Sequence, residues 1–187
     1  IDNSDQVVLY DETGGSFAAR AWWMFRWVGH EKVALLNGGW QAWEGPKSSG
    51  FNPKPYRSNF KIKSTLTKLI TMEKLKTNES AQLVDARSLE RWSGEKEPID
   101  RVAGHIPNAV CYPFTENLKD DNRFKSATEL RLRFQDLKEP IVCYCGSGVT
   151  AAHNILSLKI AGFSEPTLYA GSWSEWIEYD ENPIASN

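Results

Sequence analysis

The 187-residue chain is predicted to adopt an α/β fold, a parallel sheet flanked by helices. Three observations carry this expectation. Ile141-Val142-Cys143-Tyr144 has the length and continuity of a strand buried on both faces, and Leu83-Val84-Asp85 reads as a shorter strand. Helical stretches alternate with these runs, as in crossover-connected parallel sheets. Turn residues, chiefly glycine and serine, separate the two kinds of segment.

In chain order, a strand is expected at Val7-Val8-Leu9-Tyr10-Asp11, then a turn through Gly14-Gly15 and a helix from Ser16. A linker follows from Gly45 to Leu66, with Pro46, Gly50, Pro53 and Pro55 as breakers. A short helix at Met72–Lys76 leads to the strand Leu83–Asp85 and a polar loop holding Arg87, Arg91 and Arg101. Gly104-His105-Ile106-Pro107 precedes a strand at Val110–Tyr112. Ser126 and Glu129 form a capping box that opens a helix to Leu137. The strand 141–144, a turn at Cys145, a helix to Ala161 with Gly162 as its cap, the strand Thr167–Tyr169 and a last helix from Ser172 complete the chain.

Bulk composition excludes several classes. Hydrophobic residues make up 41% and charged residues 25%, with a net charge of −2. Neither a nucleic acid nor a membrane surface is therefore an expected partner. No apolar run reaches the roughly 18 residues of a membrane-spanning helix, and the start carries no signal-peptide pattern, so a cytoplasmic location is expected. Cys111, Cys143 and Cys145 do not suggest a disulfide framework. Their spacing is not that of a zinc site, and His30, His105 and His153 are scattered. No metal or organic cofactor is expected.

The chain repeats itself. Ala19, Gly29, Gly38, Trp40 and Trp43 match Ala152, Gly162, Gly171, Trp173 and Trp176 at a constant separation of 133 residues. Asp11 matches Cys145 at 134, so the first copy has one more residue in its turn. The second copy reaches back to Leu83, and the matching segment of the first would precede residue 1. Two units are expected: residues 1–55 as the C-terminal half of one, with its linker, and 66–187 as a complete one. A carboxylate cannot do thiol chemistry, so the first copy is expected to be non-catalytic.

Cys145 follows a strand and precedes Gly146-Ser147-Gly148-Val149-Thr150 and a helix. Backbone N–H groups converge at such a junction and stabilise a thiolate and anything anionic bonded to it. A phosphatase-type loop needs an arginine six residues after the cysteine, where Ala151 stands. A thioredoxin-type site needs a cysteine at position 148, which is glycine. For a protease, His153 lies eight residues on along a helix, a poor place for the base. There remains a thiolate in a nest of amide donors that attacks sulfur and holds it as a persulfide.

Asp85-Ala86-Arg87, Gly104-His105-Ile106-Pro107, Cys145-Gly-Ser-Gly-Val-Thr-Ala151 and Gly171-Ser172-Trp173-Ser174-Glu175-Trp176 resemble the motifs of two-domain rhodanese-type sulfurtransferases. Tyr10-Asp11, Ala18-Ala19-Arg20-Ala21-Trp22-Trp23 and Gly38-Gly39-Trp40 resemble that family's inactive first domain. The resemblance implies a rhodanese-like fold with catalysis in the second unit. The Gly146-Ser147-Gly148 loop is similar to that of mercaptopyruvate-preferring members, whereas thiosulfate-preferring members carry two cations there.

The implied roles are as follows. Cys145 is the nucleophile and persulfide carrier. Gly146, Ser147, Gly148, Val149 and Thr150 form the cradle. Ser147 passes a proton or binds the donor, or else caps the turn. Arg91 matches the family's donor-binding arginine, and Arg101 is the candidate for a second. Arg87 binds the donor or holds the loop by a salt bridge. His105, Pro107, Trp173 and Trp176 are expected to be structural. The donor is a small molecule, 3-mercaptopyruvate or thiosulfate, and the acceptor is cyanide, a small thiol or a thioredoxin-like protein. The rival reading is a non-catalytic module that binds a partner protein.

Overall fold

The computed structural model describes residues 1–50, 57–78 and 80–186; Pro53 and Pro55 of the expected linker lie outside the described residues. The chain opens with β1 (Val7–Leu9), α1 (Ser16–Trp27) and β2 (Val33–Leu35), then a 3₁₀ turn at Trp40–Ala42. There follow β3 (Lys68–Ile70), α2 (Met72–Lys76), β4 (Gln82–Asp85), α3 (Leu89–Ser93) and β5 (Val110–Cys111). A second 3₁₀ turn at Phe114–Asn117 leads to α4 (Ala127–Arg133), β6 (Ile141–Tyr144), α5 (Ala151–Ile160), β7 (Thr167–Tyr169) and α6 (Ser172–Trp176).

β1 and β2 pair in parallel, and the other strands form one parallel sheet in the order β3-β7-β6-β4-β5. The α/β fold read from the sequence is the fold observed. β6 is central, and its alternation divides the core. Ile141 and Cys143, with Cys145 just beyond, join the apolar cluster of Leu130, Phe134, Ala151, Ile155 and Leu158 under α4 and α5. Val142 and Tyr144 face Met72, Leu75, Trp173 and Trp176 under α2 and α6. Each large side chain buried this way contributes about 1.5–3 kcal/mol. Trp173 and Trp176 are thus core, as expected.

Three elements were not expected from the sequence. β2 and β3 are three residues each, too short to show a period, and β3 is an edge strand opening on Lys68. α3 is a single polar turn starting after Ser88. The capping box forms, with Ser126 N donating to Glu129 Oε2 at 2.7 Å and Glu129 N to Ser126 Oγ at 3.3 Å. Its helix stops at Arg133 rather than Leu137, because the chain tightens there: Gln135 N bonds to Leu132 O and Leu137 N to Phe134 O.

β1-α1-β2 repeats the order β6-α5-β7, and in each the two strands are parallel neighbours. α1 packs along α5, and Trp22 and Trp23 of α1 enter the cluster that holds Cys145. His153 ties the two together. Its Nε2–H donates to Gly14 O at 3.0 Å, and its Nδ1 accepts from Asn117 Nδ2 at 3.2 Å. The ring is buried, with Phe124 stacked on it at 4.5 Å.

Candidate active site

Cys145 stands at the carboxyl end of β6, where ligands of open α/β sheets bind. The first turn of α6 fixes its backbone. Cys145 N donates to Ser172 Oγ at 3.1 Å, Trp173 N to Cys145 O at 3.0 Å and Ser174 N to Gly146 O at 2.9 Å. Gly148 has φ +77°, and a Cβ there would run into the carbonyl of Ala170, so a side chain is excluded on both counts. Held this way, the loop from Gly146 to Thr150 leaves its backbone N–H groups without a protein acceptor among the described residues. Cys145 is 2% exposed, while Ser147 is exposed at the loop tip.

The first unit shows what such a nest holds. Asp11, at the exit of β1, accepts four backbone N–H groups. Oδ1 takes Thr13 at 2.9 Å and Gly15 at 2.8 Å, and Oδ2 takes Phe17 and Ala18 at 2.9 Å each. Burial pushes the Asp11 carboxyl up, but the four N–H bonds together outweigh it and hold it below its ordinary range. The N–H groups after β1 thus have a carboxylate acceptor, and those from Gly146 to Thr150 have no protein acceptor among the described residues.

The three expected donor-binding arginines are placed differently. Arg91 reaches the loop: its Nη atoms lie 3.5 and 3.6 Å from where a Cβ on Gly146 would stand. It is held by Glu97 Oε1 at 2.9 Å from Nε and by Asp100 Oδ2 at 2.8 Å from Nη2. Asp100 in turn lies 2.8 Å from Ser174 Oγ, which is also 2.7 Å from the carbonyl of Gly146. One hydroxyl proton serves these two acceptors, linking Arg91 to the cradle.

Arg87 takes the second of the two places expected for it. It does not reach the loop as an anion ligand; it is buried and fully engaged. Nε and Nη2 clamp Asp85 at 3.0 and 2.8 Å, Nη1 faces Glu97 at 3.2 Å, and Nη2 donates to Gly104 O at 2.6 Å. Burial lowers this guanidinium, and its bonds to Asp85 more than restore it. The salt-bridge alternative describes its place. Arg101 stands elsewhere. Its guanidinium bonds the carbonyl of Ile177 and faces Asp180 at 3.8 Å, past the end of α6. The bend at 97–100 turns Asp100 toward the cradle and sends its neighbour the other way.

Sequence reasoning missed Asp100, Glu97, Ser172 and Ser174 as parts of the site. Ser172 and Ser174 lay inside a motif already singled out; Asp100 and Glu97 gave no signal in a polar loop. Arg20, inside the Ala18–Trp23 motif, was also missed and lies within electrostatic range of Cys145. His105 is structural, as expected: it stacks on Trp92 at 4.2 Å and bonds Trp92 O at 2.7 Å.

The model of the rhodanese-like domain matches residues 1–46 and 70–179. A Pseudomonas aeruginosa protein named "Probable 3-mercaptopyruvate sulfurtransferase" is 45% identical over 193 residues, covering 97% of this chain and 68% of the relative. The Gallus gallus "Thiosulfate sulfurtransferase" is 38% identical over 188 residues, covering 95% and 65%. The solved structure of the Tum1 protein from Saccharomyces cerevisiae superposes with a TM-score of 0.85 at 28% identity, covering all of this chain and 71% of that one. The chain thus spans about two thirds of the length of these curated relatives.

Proposed function

Because the chain belongs to the rhodanese-like domain family, we propose that it is a sulfurtransferase that works through a persulfide on Cys145. The observation that carries this reading is the open nest of N–H groups from Gly146 to Thr150, set beside the same nest closed by Asp11. The donor is 3-mercaptopyruvate. The Cys145 thiolate attacks its sulfur, the C–S bond breaks, and the electron pair leaves on carbon, which takes up a proton to give pyruvate. The new S–S bond leaves sulfur on Cys145, with the negative charge spread over the N–H groups of Gly146, Ser147, Gly148, Val149 and Thr150. Cyanide, a small thiol or a thioredoxin-like protein then takes the outer sulfur and returns the thiolate. Ser147, exposed at the tip, is in reach of the arriving donor or acceptor.

Arg91 orients the donor. The preference for mercaptopyruvate over thiosulfate follows from charge. The loop itself has no cation, and Arg91, which reaches it, is shared with Glu97 and Asp100, an arrangement that suits a monoanion better than a dianion. Residues 66–187 are the catalytic unit, and 1–55 are the C-terminal half of a non-catalytic one. The three cysteines are free, which suits a reducing compartment, and we place the protein in the cytoplasm on that ground.

The test is a steady-state comparison of the two donors with cyanide as acceptor. A higher kcat/KM with mercaptopyruvate supports the reading, and thiosulfate preference refutes the charge argument. No transfer from either donor would favour a protein-binding module instead.

A further inference from the structure

The ionic groups beside the Cys145 loop leave it short of positive charge. Arg87 and Arg91 are two cations, and Asp85, Glu97 and Asp100 are three carboxylates bonded to them. An anionic donor and the persulfide anion it leaves behind need a cation not already neutralised. Arg20, midway along α1, has no carboxylate within salt-bridge distance among the described residues. Its Nη1 is buried without a hydrogen-bond partner. The guanidinium stands 5.2 Å over the ring of Trp23, whose Nε1 is likewise buried without a partner. Trp23 belongs to the same apolar cluster as Cys145, Ala151 and Ala152.

A buried donor left without an acceptor is destabilising, and both of these lack one among the described residues. Such a pair fits an acceptor that arrives from outside the protein. Burial lowers the Arg20 guanidinium, and the charge of a Cys145 thiolate acts in the opposite direction. α1 is fixed relative to Cys145 by its packing on α5 and by the His153 bond to Gly14.

We infer that Arg20, with Trp23 Nε1 beside it, is an anion-binding residue of the Cys145 site, holding the negatively charged group of the sulfur donor while Cys145 attacks. The identity of that anion rests on the sulfur-transfer reading above; the existence of the anion site does not. The unit that carries Asp11 in place of a nucleophile thus contributes to the chemistry through this arginine.

The test alkylates Cys145 in the full chain with iodoacetate, an anion, and with iodoacetamide, its neutral counterpart. The ratio of the two rates reports attraction of an anion to the thiol and does not depend on sulfur transfer. Arg20→Gln is expected to lower the ratio about tenfold and to raise KM for mercaptopyruvate more than it lowers kcat. Arg20→Lys is expected to keep most of the ratio. Arg20→Met keeps an apolar stem over Trp23 and replaces the Gln variant if that one does not fold. A ratio unchanged in the uncharged variant overturns the inference. A ratio that falls, in a protein whose wild type turns over neither donor, upholds the anion site and sinks the sulfur-transfer reading.

Discussion

Asp11 and Cys145 each stand just past the end of a strand that leads through a glycine turn into a helix, and the Asp11 carboxylate takes four backbone N–H groups, while those from Gly146 to Thr150 have no protein acceptor among the described residues. In both units a strand, a glycine-containing turn and a helix follow one another at this point. In the first the acceptor is a side chain; in the second we propose that the persulfide takes that place. Asp11→Ala should therefore destabilise the chain by about 0.5–2 kcal/mol, as loss of a helix-capping side chain does. Denaturant unfolding measures this. The transfer rate per folded molecule should change little, because Asp11 lies outside the second cradle.

Gly148→Ala should damage the loop itself. The position needs φ +77°, and the added Cβ meets the Ala170 carbonyl. The expected cost is at least about 1–2 kcal/mol in stability, with a loss of transfer larger than stability alone explains. Equal activity in wild type and variant, measured at a temperature where both are folded, would show that the cradle tolerates a side chain.

Asp100→Asn should change donor choice. Asp100 holds Arg91 by a 2.8 Å bond and reaches Gly146 through Ser174. Removing its charge leaves the loop more positive, which favours a dianion over a monoanion. The ratio of kcat/KM for thiosulfate to that for mercaptopyruvate should rise by about threefold to tenfold. A ratio that stays put or falls would mean that Asp100 acts only by orientation.

His153 should set an acid limit on stability. Burial pushes its imidazole down to about 4, because the ring is enclosed and neutral between Gly14 and Asn117. In the unfolded chain it titrates near about 6.5. Between those values the unfolded state binds the proton and the folded state does not, so stability falls as pH drops from about 6.5 to about 4. His153→Gln should lower stability at neutral pH and flatten this part of the curve. Unfolding free energies of both proteins across that range, compared as a difference, isolate the histidine from titrating carboxylates.

Much of this was legible in the residues. β6 announced itself as an unbroken apolar run because both its faces are covered, β4 and β7 as short runs between turns, and the Ser126–Glu129 capping box and the closing Gly162 marked helix boundaries. β2, β3 and α3 did not, since a three-residue strand or a single polar turn carries no period. Cys145 was legible from its glycine flanks and junction. Arginine roles were not, because sequence shows the charge and not its partner: Arg87 is closed off by Asp85, Arg101 turns to Ile177, and Arg91 alone of the three meets the loop. Arg20 was hidden among tryptophans that read as core.

The measurement that bears most directly on the central claim is the intact mass of the chain after brief exposure to mercaptopyruvate, followed by peptide mapping. The expected result is one added sulfur atom, on Cys145 and not on the buried Cys143 or on Cys111, absent from Cys145→Ser and removed by cyanide as thiocyanate. A chain that gains no sulfur, or that carries it on another cysteine, would contradict the account.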